Sequence, residues 1–203
     1  MSTRRDQILA TAATLFAERG FHGVSVDELG AACGISGPAL YKHFPSKDAM
    51  LAEMLVAISE KLLSVAVERA SSAQDPVRAV VALVGWHVDF ALHHQPLIVV
   101  QDRDWASLPD QDRERVRDLQ RRYVRLWADW LCRADAGLTT TRAQAMAHAT
   151  FGLLNSTPHS AVLPEPDMST MLEQMALRAL GVRRAPAHHG DDRPPTERRR
   201  ALA

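Results

Sequence analysis

The stretch SVDELGAACGISGPALYKHFPSK, residues 25–47, decides the fold. Ser25 followed by Glu28 is a capping-box pattern, in which hydroxyl and carboxylate satisfy the orphan amides of a helix start. The pattern predicts a second helix from Val26 to about Cys33. Gly34-Ile35-Ser36 then makes a short turn, with Gly34 as helix terminator and Ser36 as the next N-cap. A third helix is expected from Gly37 or Pro38 to Phe44, where Pro45 ends it; a proline at position 38 is tolerated because first-turn amides have no helical partner. Two short helices joined by a glycine-containing turn have helix-turn-helix geometry, whose second helix can enter a DNA major groove.

Working outward, Ile8, Leu9, Ala12, Leu15 and Phe16 recur at helical spacing and place helix one over about Arg4 to Arg19. Gly20 stops it, and the link to Val24 holds a second glycine, Gly23, both suited to left-handed backbone. On the other side, Ser46 caps a long fourth helix striped with Met50, Leu51, Met54, Leu55, Ile58, Leu62 and Val65. Further helices are expected from Asp75-Pro76 to about His94, from Pro96 to about Ser107, and from Pro109 to about Ala134. Two more run from Thr141 to about Ser156 and from Met168 to Leu180. Alternation of the strand type is absent from the sequence, so the expected class is all-α. Residues 184–203 are rich in Pro, His and Arg without periodicity and read as a disordered tail, in which Arg198-Arg199-Arg200 is either a solvated charge run, the favoured reading, or a nonspecific DNA contact.

The bulk composition excludes several classes. With 46% hydrophobic and 24% charged residues over 203 positions, the chain is an ordinary globular protein and not a disordered one. No run is long and uncharged enough to span a bilayer and no signal-peptide core follows Met1, so a cytoplasmic protein with no membrane partner is expected. Cys33 and Cys132 stand apart from any metal-ligand spacing and read as buried free thiols. The histidines at 87, 93 and 94 lack the spacing and acidic partner of a zinc site. Net charge is zero, and residues 1–47 carry five Lys/Arg against four acids. Geometry, not bulk charge, must therefore carry any DNA-binding role.

The residues from Ile8 to Lys47 supply more than geometry. Phe16, Gly20, Val26, Leu29, Ala32, Gly34, Ser36, Leu40, Tyr41, His43, Phe44 and Lys47 fall at a spacing that closely resembles the N-terminal signature of the TetR (tetracycline repressor) family. The resemblance implies a DNA-binding domain over 1–47, a helical ligand-binding and dimerisation domain over 48–183, and the tail beyond. It further implies a homodimer through the last two helices that binds a palindromic double-stranded operator, represses transcription and is released by a small-molecule effector. No cofactor is implied. Leu29, Ile35, Leu40 and Phe44 read as packing residues, whereas Gly37, Pro38, Ala39, Lys42 and His43 occupy the early, outward face of helix three, where base edges and phosphates would lie. By resemblance, Tyr41 and His43 contact the DNA backbone, with Lys47 adding a charge. Ser25 and Ser36 complete the set at helix N-termini, where anions bind readily.

For the effector, Trp86, His87, Phe90, Trp105, Tyr123, Trp127, Trp130, Phe151 and Asn155 are candidate pocket residues, an apolar set with few polar groups. His87 and Asn155 are its polar members of interest. Each aromatic can equally be core filling. Met168, Met171, Leu172, Met175 and Leu180 form a seam suited either to a dimer interface or to a monomer core. The segment Val99-Val100-Gln101-Asp102-Arg103, with Arg121, Arg122 and Trp127 further on, is similar to regulators that respond to acyl-coenzyme A thioesters. That similarity would give the arginines a phosphate partner, where their plain reading is a salt-bridged helix surface. Two other readings stay open: a helical binding protein whose first domain contacts another protein, and an all-helical enzyme. No nucleophile triad, phosphate loop or paired catalytic carboxylates supports the enzyme.

Overall fold

A computed structural model describes residues 3–182, and both the expected tail and its arginine run lie outside them. The described residues are helical throughout, with no strand. Helix α1, Arg4–Arg19, has the span its periodicity predicts and buries Ile8, Ala12 and Phe16 completely. Its start carries a second capping box, in which Thr3 Oγ1 accepts from the Asp6 amide at 3.2 Å and Asp6 from the Thr3 amide at 2.8 Å. Gly20 ends α1 with a φ of 82°. Gly23 does not share that backbone; it is needed because a Cβ there would strike the Arg19 carbonyl.

Helix α2 is Val26–Ala32 and α3 is Gly37–Leu40. The expected extension of α3 to Phe44 is replaced by tight turns, with Lys42 N donating to Ala39 O at 3.2 Å and His43 N to Leu40 O at 2.9 Å. The residue before a proline disfavours the helical region, and the buried Phe44 sits at that position before Pro45. The body follows as α4 (Lys47–Ser71), α5 (Pro76–His93), α6 (Gln95–Asp104), a 3-10 turn (Trp105–Ser107), α7 (Asp110–Ala134), α8 (Thr140–Leu154), α9 (Thr157–Ser160) and α10 (Glu165–Ala179).

Three of these depart from expectation, the first being α6, which gives way to the 3-10 turn after Asp104 instead of running on to Ser107. The helix foreseen to Ser156 breaks at Leu154, and α9 restarts with Thr157, whose buried hydroxyl donates to the Ala91 carbonyl of α5 at 2.7 Å. Helix α10 begins at Glu165, not Met168, because Pro166 fits a first turn and Glu165 and Asp167 favour a helix N-terminus. Both cysteines are free but half-buried, not fully enclosed.

Helix α5 packs on α4, α7, α8 and α10, which explains why it is apolar nearly all round. Helix α7 is strongly two-faced: Val116, Leu119, Tyr123, Val124, Trp127 and Leu131 are buried, while Arg117, Arg121, Arg122 and Arg125 point outward or to the edge. The α1–α3 unit closes over Phe16, Phe21, Leu29, Leu40 and Phe44, with Phe16 and Phe21 edge-on at 5.3 Å. It rests on the start of α4 and along α6. No helix among the described residues is long and apolar enough to cross a membrane.

Candidate functional site

Two features stand out, a helix-turn-helix at one end and a cavity in the body. In the first, Ser25 caps α2 and accepts from the Glu28 amide at 3.2 Å, while Glu28 accepts from both the Ser25 amide (2.8 Å) and hydroxyl (2.7 Å). The backbone hydrogen bond to Ser25 is the largest influence holding the Glu28 carboxyl below its usual pKa. Ser36 caps α3 through the Ala39 amide at 3.3 Å. Gly30, to which sequence reasoning assigned no role, lets the two helices meet: a Cβ there would lie 2.9 Å from both Gly37 N and Ile35 O.

Pro38, Tyr41 and Lys42 are exposed on the face of this unit, with Ala39 and His43 half-buried beside them. Tyr41 is 54% exposed, so it is not packed into the core. Gly37 is corrected from the outward face: it is buried against Asp27, and a Cβ would collide with that carboxylate. Lys47 is also engaged inward, its Nζ donating to the Phe21 and Val24 carbonyls at 2.8 Å each and lying 4.5 Å above the Phe21 ring. It ties the loop before α2 to α4. Arg5 does the same for the end of the α3 region, donating to the His43 carbonyl, pairing with Glu53 and lying 4.1 Å over Phe44.

The body holds a cavity of about 240 Å³ between α4, α5, α6, α7 and α8. His87, Phe90, Tyr123, Phe151 and Asn155 of the expected set line it. Ser59, Gln101, Gln120 and His148 also line it; of these, only Gln101 had drawn notice in the sequence. Trp86, Trp105 and Trp127 do not line it. Trp86 donates to the Leu62 carbonyl at 3.0 Å, Trp105 lies in the 3-10 turn under Arg117, and Trp127 is wholly buried behind Phe151. Trp130 packs against the core under Arg133 and is likewise away from the cavity. Chain periodicity marks aromatics as buried but not on which side of a helix the hollow lies.

His87 organises the polar wall. Its ring stacks on Phe151 at 4.8 Å, with Nε2 3.1 Å from Asn155 Oδ1 and Nδ1 3.0 Å from Tyr123 Oη. A carbonyl oxygen only accepts, so Nε2 carries the ring proton and Nδ1 accepts from the Tyr123 hydroxyl. Burial pushes His87 down to about 4, and burial likewise raises the Tyr123 hydroxyl. The imidazole is therefore neutral at pH 7, and no carboxylate, lysine or arginine lines the cavity. Such a site suits an uncharged group with a hydrogen-bonding atom, not a buried ion.

Helix α6 joins cavity and helix-turn-helix. Ile98 and Gln101 face the cavity, while Arg103 Nη1 donates to the Ala17 carbonyl of α1 at 3.0 Å and Nη2 to that of Phe16. Nearby, Ser107 Oγ lies 2.9 Å from His22 Nε2. On the far side, the expected seam divides: Met168, Leu172 and Leu180 are buried within the subunit, whereas Met171 and Met175 are 36% and 43% exposed. On α8, which packs against α10, the small residues Ala145, Ala149 and Gly152 are exposed.

Comparison with known proteins places this architecture. Residues 8–54 match the family model for bacterial regulatory proteins of the TetR family, and residues 73–159 match a tetracycline repressor-like C-terminal domain. The chain belongs to the TetR family of helix-turn-helix transcriptional regulators. Among curated relatives, the HTH-type transcriptional repressor KstR2 of Mycobacterium tuberculosis (strain ATCC 25618 / H37Rv) is 27% identical over 132 residues, 64% of this chain and 66% of the relative. That match spans just under two thirds of the relative's length. Among solved structures, a TetR-family regulator from Bordetella parapertussis 12822 superposes with a TM-score of 0.78 at 23% identity, covering 91% of this chain and all of the other. AibR, solved with isovaleryl coenzyme A and operator DNA, superposes with a TM-score of 0.72 at 19% identity over 85% of this chain and 97% of its own. At those identities the two structures establish a common fold.

Proposed function

We propose that the protein is a homodimeric repressor that binds a palindromic operator and releases it when a small effector fills the cavity. The observation that carries this is the double duty of α6: the helix that supplies Ile98 and Gln101 to the cavity wall also supplies Arg103 to the end of α1. A ligand that shifts α6 by a fraction of an ångström strains or releases that contact and re-aims α1–α3. Two subunits must present their recognition segments about 34 Å apart to meet successive major grooves, so a change in that separation lowers operator affinity. Ser25, Ser36, Tyr41 and His43 would position the protein on the phosphates, and Pro38, Ala39 and Lys42 would meet base edges, while Lys47, expected to join them, is taken up by the Phe21 and Val24 carbonyls. The Met171 and Met175 face, with the exposed small residues of α8, is the dimer interface in this reading.

The effector favoured is an acyl-coenzyme A thioester. In the neutral wall of His87, Tyr123 and Asn155 the Asn155 amide Nδ2 is left over as a donor and can hydrogen-bond a thioester carbonyl without a charged partner, and AibR of the same fold takes isovaleryl coenzyme A. Fluorescence anisotropy with DNA from upstream of the protein's own gene tests both parts. Palindrome-specific binding that short acyl-coenzyme A thioesters reverse is the expected result. Absence of specific binding at modest salt would remove the repressor reading, and binding that no thioester reverses would remove the effector.

A further inference from the structure

We propose, resting on the effector reading above, that the ligand is bipartite: a short uncharged acyl group fills the cavity, and its polyanionic part leaves between α7 and α8 onto Arg117, Arg121 and Arg125. The cavity does not close on itself. Gln120, Val124 and His148 line it and also line an adjoining hollow of about 480 Å³ whose remaining walls include those three arginines. The two spaces have opposite character. The inner one has no lysine, arginine or carboxylate in its lining, so a phosphate inside it would be desolvated without a counter-charge. The outer one is lined by Arg117, Arg121 and Arg125 together with Gln120, Gln144, His148 and Val124, with no carboxylate among them.

Spacing supports the same division. Arg117, Arg121 and Arg125 are successive members of one i, i+4 row and so span about 12 Å along α7, a length that a diphosphate linked to a nucleotide can follow. Arg121 now pairs with Glu114 at 2.7 Å and Asp118 at 3.7 Å, and Arg117 with Glu114 at 3.7 Å. These pairs are about half exposed, and exposed pairs of this kind hold weakly, whereas phosphate accepts two parallel guanidinium bonds. Arg125 has no ion pair within 4.0 Å among the described residues and stands beside the shared wall at Val124. The inner volume sets the acyl length. At about 240 Å³ it lies below the roughly 300 Å³ at which pockets for drug-sized ligands begin, which admits a short or branched acyl chain and rejects a long one.

Calorimetry on the full-length protein tests the division with four probes: isovaleryl-coenzyme A, isovaleryl-pantetheine (which has the thioester but no phosphate), coenzyme A alone and palmitoyl-coenzyme A. The expected result is that isovaleryl-coenzyme A binds about tenfold or more tighter than isovaleryl-pantetheine. That gap should close in the Arg121→Ala/Arg125→Ala double variant and narrow as salt rises from about 0.05 to 0.5 M. Palmitoyl-coenzyme A should bind about tenfold or more weaker than the isovaleryl thioester. Thermal unfolding of the double variant near the wild-type midpoint separates lost contacts from lost folding. Equal binding of the two isovaleryl thioesters, or a gap that the double variant leaves intact, overturns the arginine groove while leaving a thioester effector in place. Failure of both isovaleryl thioesters to bind overturns the groove together with the effector reading beneath it.

Discussion

Arg103 on α6 closes the end of α1: its Nη1 donates to the Ala17 carbonyl at 3.0 Å, and Asp104 steadies the guanidinium from the other side at 3.1 Å. A cation at a helix C-terminus also complements the helix dipole. This side chain ties α6 to the DNA-binding unit, alongside the Arg5–Glu53 pair and the Ser107–His22 contact. Arg103→Ala should cost about 1 kcal/mol of stability, since the group is 42% exposed. Operator affinity should change only a few-fold while effector-driven release weakens by about tenfold; parallel anisotropy titrations with and without ligand measure both. Unchanged release would remove Arg103 from the coupling.

Tyr41 and Lys42 are exposed and hold up nothing in the core. Tyr41→Phe combined with Lys42→Ala should leave the melting temperature within a degree or two, yet weaken operator binding by about 1 to 3 kcal/mol and reduce the salt slope of log K by about one. Full operator affinity in this double variant would mean that the unit contacts something other than DNA.

Gly30→Ala tests the close approach of α2 and α3. The added methyl would lie 2.9 Å from backbone atoms of Gly37 and Ile35, which cannot rotate away. A loss of about 1 to 3 kcal/mol follows, with impaired operator binding because the turn must open. Urea denaturation with an unchanged slope would measure it; a neutral outcome would contradict the packing described.

His87 makes stability depend on pH. Its folded pKa, about 4, lies below its unfolded value, so between roughly pH 6.5 and 4 the unfolded chain binds a proton that the folded chain refuses. The contribution is fully present above pH 6.5 and is lost as pH falls toward 4, with an upper bound of about 3 kcal/mol. Thermal unfolding across this range should show a steeper decline for the wild type than for His87→Phe. Parallel profiles would place the acid sensitivity elsewhere.

Met171 and Met175 on α10, and Ala145, Ala149 and Gly152 on the α8 helix it packs against, leave apolar surface open. Met171→Glu with Met175→Glu should convert a dimer to a monomer in light scattering and abolish binding to a full palindrome, with a folded circular dichroism spectrum retained. A dimer that survives both substitutions would move the interface to another face.

Much of this protein is legible along the chain because its information is local. Capping boxes, glycine stops and first-turn prolines act within four residues, and they set α1, α2, α4, α5 and α7 to within a residue or two. Where a boundary was misread, tertiary contact or backbone crowding had intervened: α9 is held by a hydroxyl reaching across to Ala91, and α3 shortens where Phe44 must enter the core ahead of Pro45. The candidate site divides in the same way. Tyr41 and Lys42 follow from position in the turn motif. Gly37 and Lys47 do not, because Asp27 faces one and the Phe21 and Val24 carbonyls take up the other.

The pocket was legible as chemistry but not as geometry. Composition offers Trp86, His87, Phe90, Trp105, Tyr123, Trp127, Trp130, Phe151 and Asn155 as an apolar pocket set with few polar groups; His87, Phe90, Tyr123, Phe151 and Asn155 meet the hollow, and the four tryptophans do not. Sequence alone determined the all-helical class, the helix-turn-helix and the family resemblance, since these rest on short-range pattern. The fold decided which aromatics border empty space, that His87 stays neutral between Tyr123 and Asn155, and that α6 serves cavity and DNA unit at once. Each of those depends on residues tens of positions apart being brought within about 3 Å, and only long-range packing sets such distances.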